Sequence, residues 1–338
     1  MSGNIDKSMA KRIRLPNHKN AQRVLLVAGS AVSAILLYWL GSLLFPLQSA
    51  ELSGRIELWR GGVREIDLGG LHGYVQDQCE KEGGETKTHC NCVALIHGLG
   101  DNALTFKRVL LVPPKGWTQL LVGESNERLK IYALDLPGAG QSPAPMVLSD
   151  YRARNLAARL KKSLASECRA WVVAGNSLGG WVASWLALDW REGVSKLVLL
   201  DSGGLKIQAK ADTQAFTEPT VESLKELQRK LYFRPRPHPD YFWRAAMERM
   251  KTSTSRDVLS AQVDADRLDD KLPALRLPTI IVWGQNDGLL PRETGQIFHS
   301  LVRGSIYREI PECGHLPQKE CPLAVVSALA DAIRLGSM

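Results

Sequence analysis

The stretch from Trp171 to Asp189 constrains the fold of this chain most. Trp171-Val-Val-Ala174 is an apolar run of β type, Gly175-Asn-Ser177-Leu-Gly179-Gly180 is a turn of small residues, and Leu178–Asp189 has a helical pattern. A serine held on so sharp a strand-to-helix turn has a strained backbone. The residues two places to either side must therefore be very small, and Gly175 and Gly179 are. Glycine makes up 29 of the 338 residues, so the five-residue pattern alone would be weak; its position after a strand and before a helix makes it specific.

The remainder of the chain repeats this alternation, which predicts an α/β fold with a mainly parallel sheet covered on both faces. Strands are expected at Arg55–Trp59, Glu65–Leu68, Leu71–Val75, Val93–Ile96, Ile131–Leu134, Trp171–Ala174, Lys196–Leu200, Thr279–Trp283 and Ser305–Ile310. The first three read as opening antiparallel strands and the last six as most of the sheet. Helices are expected at Ala103–Leu110, Tyr151–Leu164, Leu178–Asp189, Arg292–Leu301 and Leu323–Ile333. Between about residues 205 and 277 the alternation breaks. Helix-like and Pro-rich sequence there, including Arg234-Pro235-Arg236-Pro237, predicts a helical cap inserted over the sheet edge.

A serine hydroxyl is a weak nucleophile, so Ser177 needs an imidazole to take its proton and a carboxylate to orient that imidazole. Strand–turn–helix sites of this kind place the acid and then the histidine later in the chain. The run from Thr279 ends in a turn carrying Asp287, and the next strand is followed by Pro311-Glu-Cys-Gly-His315. Asp287 and His315 are the expected acid and base. Asp201, at the end of Lys196–Leu200, is the competing acid; its other reading is a turn residue before Ser202-Gly203-Gly204. The oxyanion hole should use the N–H groups of Leu178 and of Leu99, which follows His97-Gly98. His97 itself is read as a residue that shapes its loop.

Val24–Phe45 is a run of 22 residues without a formal charge. At ~1.5 Å per residue a helix of that length covers about 33 Å, enough to cross a bilayer, so residues 24–45 are expected to be a transmembrane anchor. A cleaved signal peptide would have a shorter apolar region and a better residue than Gln48 before a cut after Ala50. Of the net charge of +8, the first 23 residues supply six basic and one acidic side chain, or +5, leaving +3. That asymmetry predicts a cytoplasmic N-terminus, residues 1–23, and a catalytic domain that is periplasmic, extracytoplasmic or lumenal. The basicity is thus mostly topological, and no basic run interleaved with aromatics points to nucleic acid. Six cysteines suit an oxidising compartment and allow fifteen pairings, with free thiols as the other reading. Proximity suggests Cys79–Cys90 and Cys313–Cys321. No Cys-x-x-Cys pair points to a metal site, and no metal or organic cofactor is expected.

Four motifs in order resemble the α/β-hydrolase superfamily over residues 53–336: His97-Gly98-Leu99-Gly100, Asp135-Leu-Pro-Gly-Ala-Gly-Gln-Ser142, Gly175-Asn-Ser177-Leu-Gly179-Gly180, and Trp283-Gly-Gln-Asn-Asp287 with Cys313-Gly-His315. The resemblance implies an eight-stranded sheet in which the strands bearing His97 and Ser177 are neighbours, and through it a Cys92–Cys168 bridge. Within the superfamily the single N-terminal span, the Gly-Asn-Ser turn and the segment Thr220–Phe233 look most like membrane-anchored monoacylglycerol lipases and related bacterial lipases and esterases. That implies a monoacylglycerol or other lipid-derived ester as substrate, with Tyr232, Phe233 and Trp243 along the acyl path and Leu231, Tyr241 and Phe242 beside them; such aromatics also suit a cap core. Carbon–carbon bond hydrolases of ring-fission products share the Gly-Asn-Ser turn but usually follow the histidine with tryptophan, where this chain has Leu316. Epoxide hydrolases and haloalkane dehalogenases use aspartate in place of Ser177. A non-catalytic hydrolase-fold binding module is the reading from another class, set against the presence of all three triad residues.

Overall fold

Seven strands that share one direction and one, the second in chain order, that runs against them build the sheet of this protein, seen in a computed structural model that describes residues 40–79, 90–112, 116–117, 128–210 and 213–335. The strands are β1 (Arg64–Leu68), β2 (Leu71–Asp77), β3 (Cys90–Ile96), β4 (Arg128–Leu134), β5 (Trp171–Asn176), β6 (Val194–Leu200), β7 (Thr279–Gly284) and β8 (Ile306–Ile310). They lie in the order β1-β2-β4-β3-β5-β6-β7-β8, with β1/β2 and β2/β4 antiparallel and every other pair parallel.

Alternation along each strand creates two layers. On β3, Ala94 and Ile96 join one apolar cluster with Val173, Leu197, Leu199 and Ile281, while Val93 and Leu95 join the other with Val172, Ala174, Val198 and Ile280. Helices cover both. The first layer receives Leu156 and Leu160 of Ala153–Leu164, Val182 and Leu186 of Leu178–Asp189, and Phe298 of Arg292–Leu301. The second receives Phe106 and Val109 of the turns at 103–110 and Val325 and Leu329 of Pro322–Arg334. Each fully buried Val or Leu contributes ~1.5–3 kcal/mol, so a strand such as β5, buried at all of its residues, is a principal source of stability.

Arg55–Trp59 is not a strand. It lies in the helix Pro46–Arg60, in which Gly54 and Leu58 are buried and Ile56 is exposed. Burial at a spacing of four, with the residue between turned outward, is helical periodicity. Pro46 at the first position and Gly61-Gly62 beyond the last, with Gly62 at φ 78°, bound that helix. The chain divides into two compact units at Ala50/Glu51. The expected span Val24–Phe45 lies outside the described residues except for residues 40–45. Among the described residues no helix is long and apolar enough to cross a membrane.

Between β6 and β7 the cap consists mainly of three helices, Val221–Leu231, Asp240–Lys251 and Ser255–Ala261. Thr220 and Ser223 form a reciprocal capping box at the first. Where the chain leaves the cap, Arg152 makes a bidentate contact with the buried Asp266, at 2.8 Å from Nε and 2.7 Å from Nη2. The Asp266 carbonyl in turn accepts the indole N–H groups of Trp181 and Trp185, both at 2.7 Å.

Candidate active site

Ser177 stands at the junction of β5 and the helix Leu178–Asp189, with φ 55° and ψ −119°. A Cβ on Gly175 would lie 2.1 Å from the Gly179 carbonyl oxygen, and one on Gly179 would lie 2.2 Å from the Ile96 oxygen. Both contacts are to backbone, so a side chain at either place would force the backbone to shift, and the second contact holds the turn close against β3.

β7 ends at Gly284, and three residues later the turn presents Asp287. Its Oδ1 accepts the N–H groups of Leu289 and Leu290, each at 2.8 Å, and its Oδ2 lies 2.7 Å from His315 Nδ1. Asp287 and His315 are 7% and 1% exposed. Ser177, His315, Leu99 and Leu178 line one cavity of about 420 Å³ beneath the cap. The Leu99 and Leu178 N–H groups have no hydrogen-bond partner among the described residues, and Gly98 lies close enough that its Cβ would be 3.2 Å from Ser177 Cβ. The backbone geometry therefore leaves two donors beside the serine.

His97 is tied into its own loop. Its Nε2 accepts from Leu136 N–H at 3.0 Å, which puts the ring proton on Nδ1, 2.8 Å from the Gly98 carbonyl. A base with both nitrogens committed has no lone pair for Ser177, so His97 shapes the loop that carries Leu99.

Asp201 follows β6, is fully buried, and accepts the Gly284 N–H at 2.8 Å through Oδ1. Burial, and then the charge of Asp287, push its carboxyl well above the ordinary carboxylate range. Of the two acids it is Asp287, not Asp201, that meets His315 Nδ1. Asp201, Asp287 and His315 are the one group of three metal-ligand types gathered among the described residues. Because His315 Nδ1 and both Asp287 oxygens are already engaged by hydrogen bonds, the arrangement suits a proton network.

Two residues that hold the site together escaped the sequence reading. The Asn176 amide donates to the carbonyls of Leu200 at 3.1 Å and His315 at 2.9 Å, and its oxygen accepts from Gln318 at 3.0 Å. Gln318 also donates to Thr105 Oγ1 at 3.2 Å. Serine and histidine loops are thereby bolted together through a side chain whose sequence signal was only its place before Ser177.

The expected acyl-path residues separate. Tyr232 and Leu231 line the cavity; Phe233 and Trp243 do not, and neither do Tyr241 and Phe242. Trp243 is buried in the cap's own core with Phe216 and Leu227, and Phe242 and His238 stack beside it. Phe233 donates its N–H to Glu320 and lies under the Arg234 guanidinium. The cap needs these rings for its own packing. Phe216, Leu227, Val258 and Leu316 supply apolar wall instead. Polar groups at the wall include Lys319, paired with Asp101 at 2.8 Å, and Arg267. The Arg267 guanidinium sits 4.7 Å over the Trp181 ring, its Nε has no partner, and it has no ion pair among the described residues.

Cys79–Cys90, Cys92–Cys168 and Cys313–Cys321 are disulfide-bonded. β3 and β5 are neighbours, with Cys92 opposite Trp171, which brings the second pair together; the third closes the loop around His315.

An eight-stranded, mostly parallel sheet with a serine elbow under a helical cap defines an α/β-fold hydrolase. The chain belongs to the alpha/beta hydrolase family, whose sequence profile matches residues 93–329. It is 28% identical over 269 residues to the 2-hydroxy-6-oxononadienedioate/2-hydroxy-6-oxononatrienedioate hydrolase of Klebsiella pneumoniae subsp. pneumoniae, covering 71% of this chain and 88% of that one. Among solved structures it is similar in fold to a bacterial membrane phospholipase A (TM-score 0.67, 24% identity, 94% of this chain and 100% of that one). It is likewise similar in fold to a thermophilic esterase from Thermogutta terrifontis (TM-score 0.56, 21% identity, 80% of this chain and 98% of that one).

Proposed function

We propose that this hydrolase cleaves carboxylic esters, with monoacylglycerols or other lipid-derived esters as its substrate class, through a covalent acyl-enzyme on Ser177. The observation that carries the reading is the joint placement of Ser177 and His315 on one cavity wall with Asp287 2.7 Å behind His315 Nδ1. Asp287 accepts the Nδ1–H, which leaves Nε2 unprotonated to take the Ser177 proton as Oγ bonds the ester carbonyl carbon. The carbonyl electron pair moves to oxygen, where the Leu99 and Leu178 N–H groups receive it. As the carbonyl re-forms, the alcohol leaves with the proton from Nε2, and water repeats the sequence to free the acid. The apolar wall of Phe216, Leu227, Val258 and Leu316 suits an acyl chain.

The same reading keeps residues 24–45 as a membrane anchor with a cytoplasmic N-terminus and an extracytoplasmic catalytic domain. Three disulfides fit that side of the membrane. Leu52, Ile56 and Trp59, spaced along one face of the helix Pro46–Arg60, are 53%, 40% and 75% exposed and fit a lipid interface.

A second reading, hydrolysis of a carbon–carbon bond in a ring-fission product, is favoured by the Klebsiella relative and by Arg267, whose free guanidinium on the wall could hold a substrate carboxylate. Purified full-length wild type and Ser177→Ala, assayed against monoacylglycerols of graded acyl length and against a ring-fission dienedioate, separate the two. Ester kcat/KM at least about tenfold higher, and lost in Ser177→Ala, supports the esterase. The reverse preference overturns it in favour of the second reading, and no turnover of either substrate leaves a non-catalytic binding module.

A further inference from the structure

A second carboxyl group stands behind the triad. Asp201 is fully buried, its backbone is in the left-handed region at φ 44°, and its N–H donates to the Val282 carbonyl at 3.0 Å. Oδ1 accepts the Gly284 N–H at 2.8 Å, whereas Oδ2, equally buried, receives no hydrogen from any described group. One oxygen of Asp201, one of Asp287 and a ring nitrogen of His315 all lie within 4.8 Å of one another. Asp287 is well supplied with donors: Leu289 N–H, Leu290 N–H and His315 Nδ1. Tyr307 on β8 turns its hydroxyl to Glu309 and the Arg292 carbonyl, not to either of these carboxyl groups. Two buried carboxyl groups this close, with no Lys or Arg paired to either among the described residues, do not both ionise. Three donors favour the charged form of Asp287. A single donor and a bare oxygen leave Asp201 as the group that keeps its proton.

We infer that Asp201 is a neutral carboxylic acid whose Oδ2–H donates a hydrogen bond to the Asp287 carboxylate, making it a positioning residue that steadies the acid partner of His315. The orphaned oxygen is then a donor with an acceptor beside it, and its burial is explained. Burial and the Asp287 charge both act to hold the proton on Asp201. That proton stays on Oδ2 throughout turnover; the Ser177 proton goes to His315 and no further. The inference rests on Asp287 serving His315, as in the proposed mechanism.

Two substitutions and one spectroscopic reading test it on the full-length enzyme. Asparagine at 201 keeps an oxygen for Gly284 N–H and offers an amide N–H to Asp287 in place of the carboxyl hydrogen; alanine offers neither. Asp201→Ala should lose about 10- to 100-fold in kcat with KM little changed, and the acidic limb of its pH–rate profile should move to higher pH as Asp287 loses a donor. Asp201→Asn should recover most of that loss and return the limb towards wild type. Equal losses in both variants would mean that a charged Asp201 is needed and would overturn the inference, as would an Asp201→Ala profile that falls in amplitude without moving. Difference infrared spectroscopy reads the proton whether or not the alanine variant folds and whether or not the enzyme turns over esters. A protonated-carboxyl band present in wild type and absent from Asp201→Asn supports the neutral acid; its absence from wild type refutes it while leaving the triad reading intact.

Discussion

Alanine at Gly179 would strike the place where the serine turn meets the oxyanion loop. Its Cβ would sit 2.2 Å from the Ile96 oxygen and 2.5 Å from the His97 oxygen. An ordinary carbon–oxygen contact is longer by about 1 Å, and both obstacles are backbone, so the helix start and the loop after β3 must move apart by that much. Leu178 N–H lies on one side of this gap and Leu99 N–H on the other. A displacement of ~1 Å in a positioned group costs on the order of 10²-fold, and loss of one oxyanion donor costs ~10²–10³-fold. Overpacking should cost a further ~1–3 kcal/mol of stability. Gly179→Ala is therefore expected to unfold at lower temperature yet fold, and to lose at least about 10²-fold in kcat on a chromogenic ester, measured well below its Tm. Gly54→Ala is the control. Its Cβ would meet only side-chain atoms at 3.7 Å or more, so it should gain ~0.5–1 kcal/mol of helix stability without changing kcat. Wild-type kcat in Gly179→Ala would refute the reasoning, because the two donors would then not depend on this contact.

Other perturbations follow from the same geometry. Asp287→Asn should keep the fold and lose ~10³–10⁴-fold in kcat, as the wrong tautomer of His315 is favoured; circular dichroism and steady-state kinetics check both halves. Reducing Cys92–Cys168, which joins residues 76 apart in sequence, should cost ~2–5 kcal/mol in urea unfolding, more than loss of Cys313–Cys321, which spans only 8. Burial pulls the His72 imidazolium down, but hydrogen bonds to Asp135 at 2.6 Å and Glu65 at 2.8 Å outweigh it and its pKa is raised above 6.5. Its contribution to stability is thus fully present below about pH 6.5 and is lost as pH rises through the higher folded value. The Tm difference between wild type and His72→Gln should shrink as pH rises above about 6.5, and a constant difference would contradict this.

How legible the fold was depended on where apolar pattern and backbone pairing coincide. Leu178–Asp189 and Arg292–Leu301 appear with the bounds read from sequence, the first because the serine turn starts it abruptly. The strands extend beyond their apolar runs: the one at Val93–Ile96 begins at Cys90, and the one at Ile131–Leu134 begins at Arg128. Their ladders continue through polar residues, since backbone pairing does not require an apolar side chain. Arg55–Trp59 went astray because a short amphipathic stretch carries helix and strand signals alike, and burial of Leu58 with exposure of Ile56 separates them only after folding. Ser177, Asp287 and His315 could be picked out because each follows a strand in a fixed order. Asn176 to Gln318 and Asp201 to Asp287 are contacts across 142 and 86 residues, and no local pattern announces them. Trp243 shows the converse: an aromatic residue in a cap has the same sequence signature whether it faces substrate or closes a small core.

The most direct test of the mechanism is to expose the purified protein and its Ser177→Ala variant to a fluorophosphonate and locate the adduct by peptide mass spectrometry. An activated nucleophile predicts one covalent adduct, on the peptide containing Ser177, absent from the variant. A folded wild type that takes up no label, or takes it up at another residue, would contradict the assignment of Ser177 as the nucleophile.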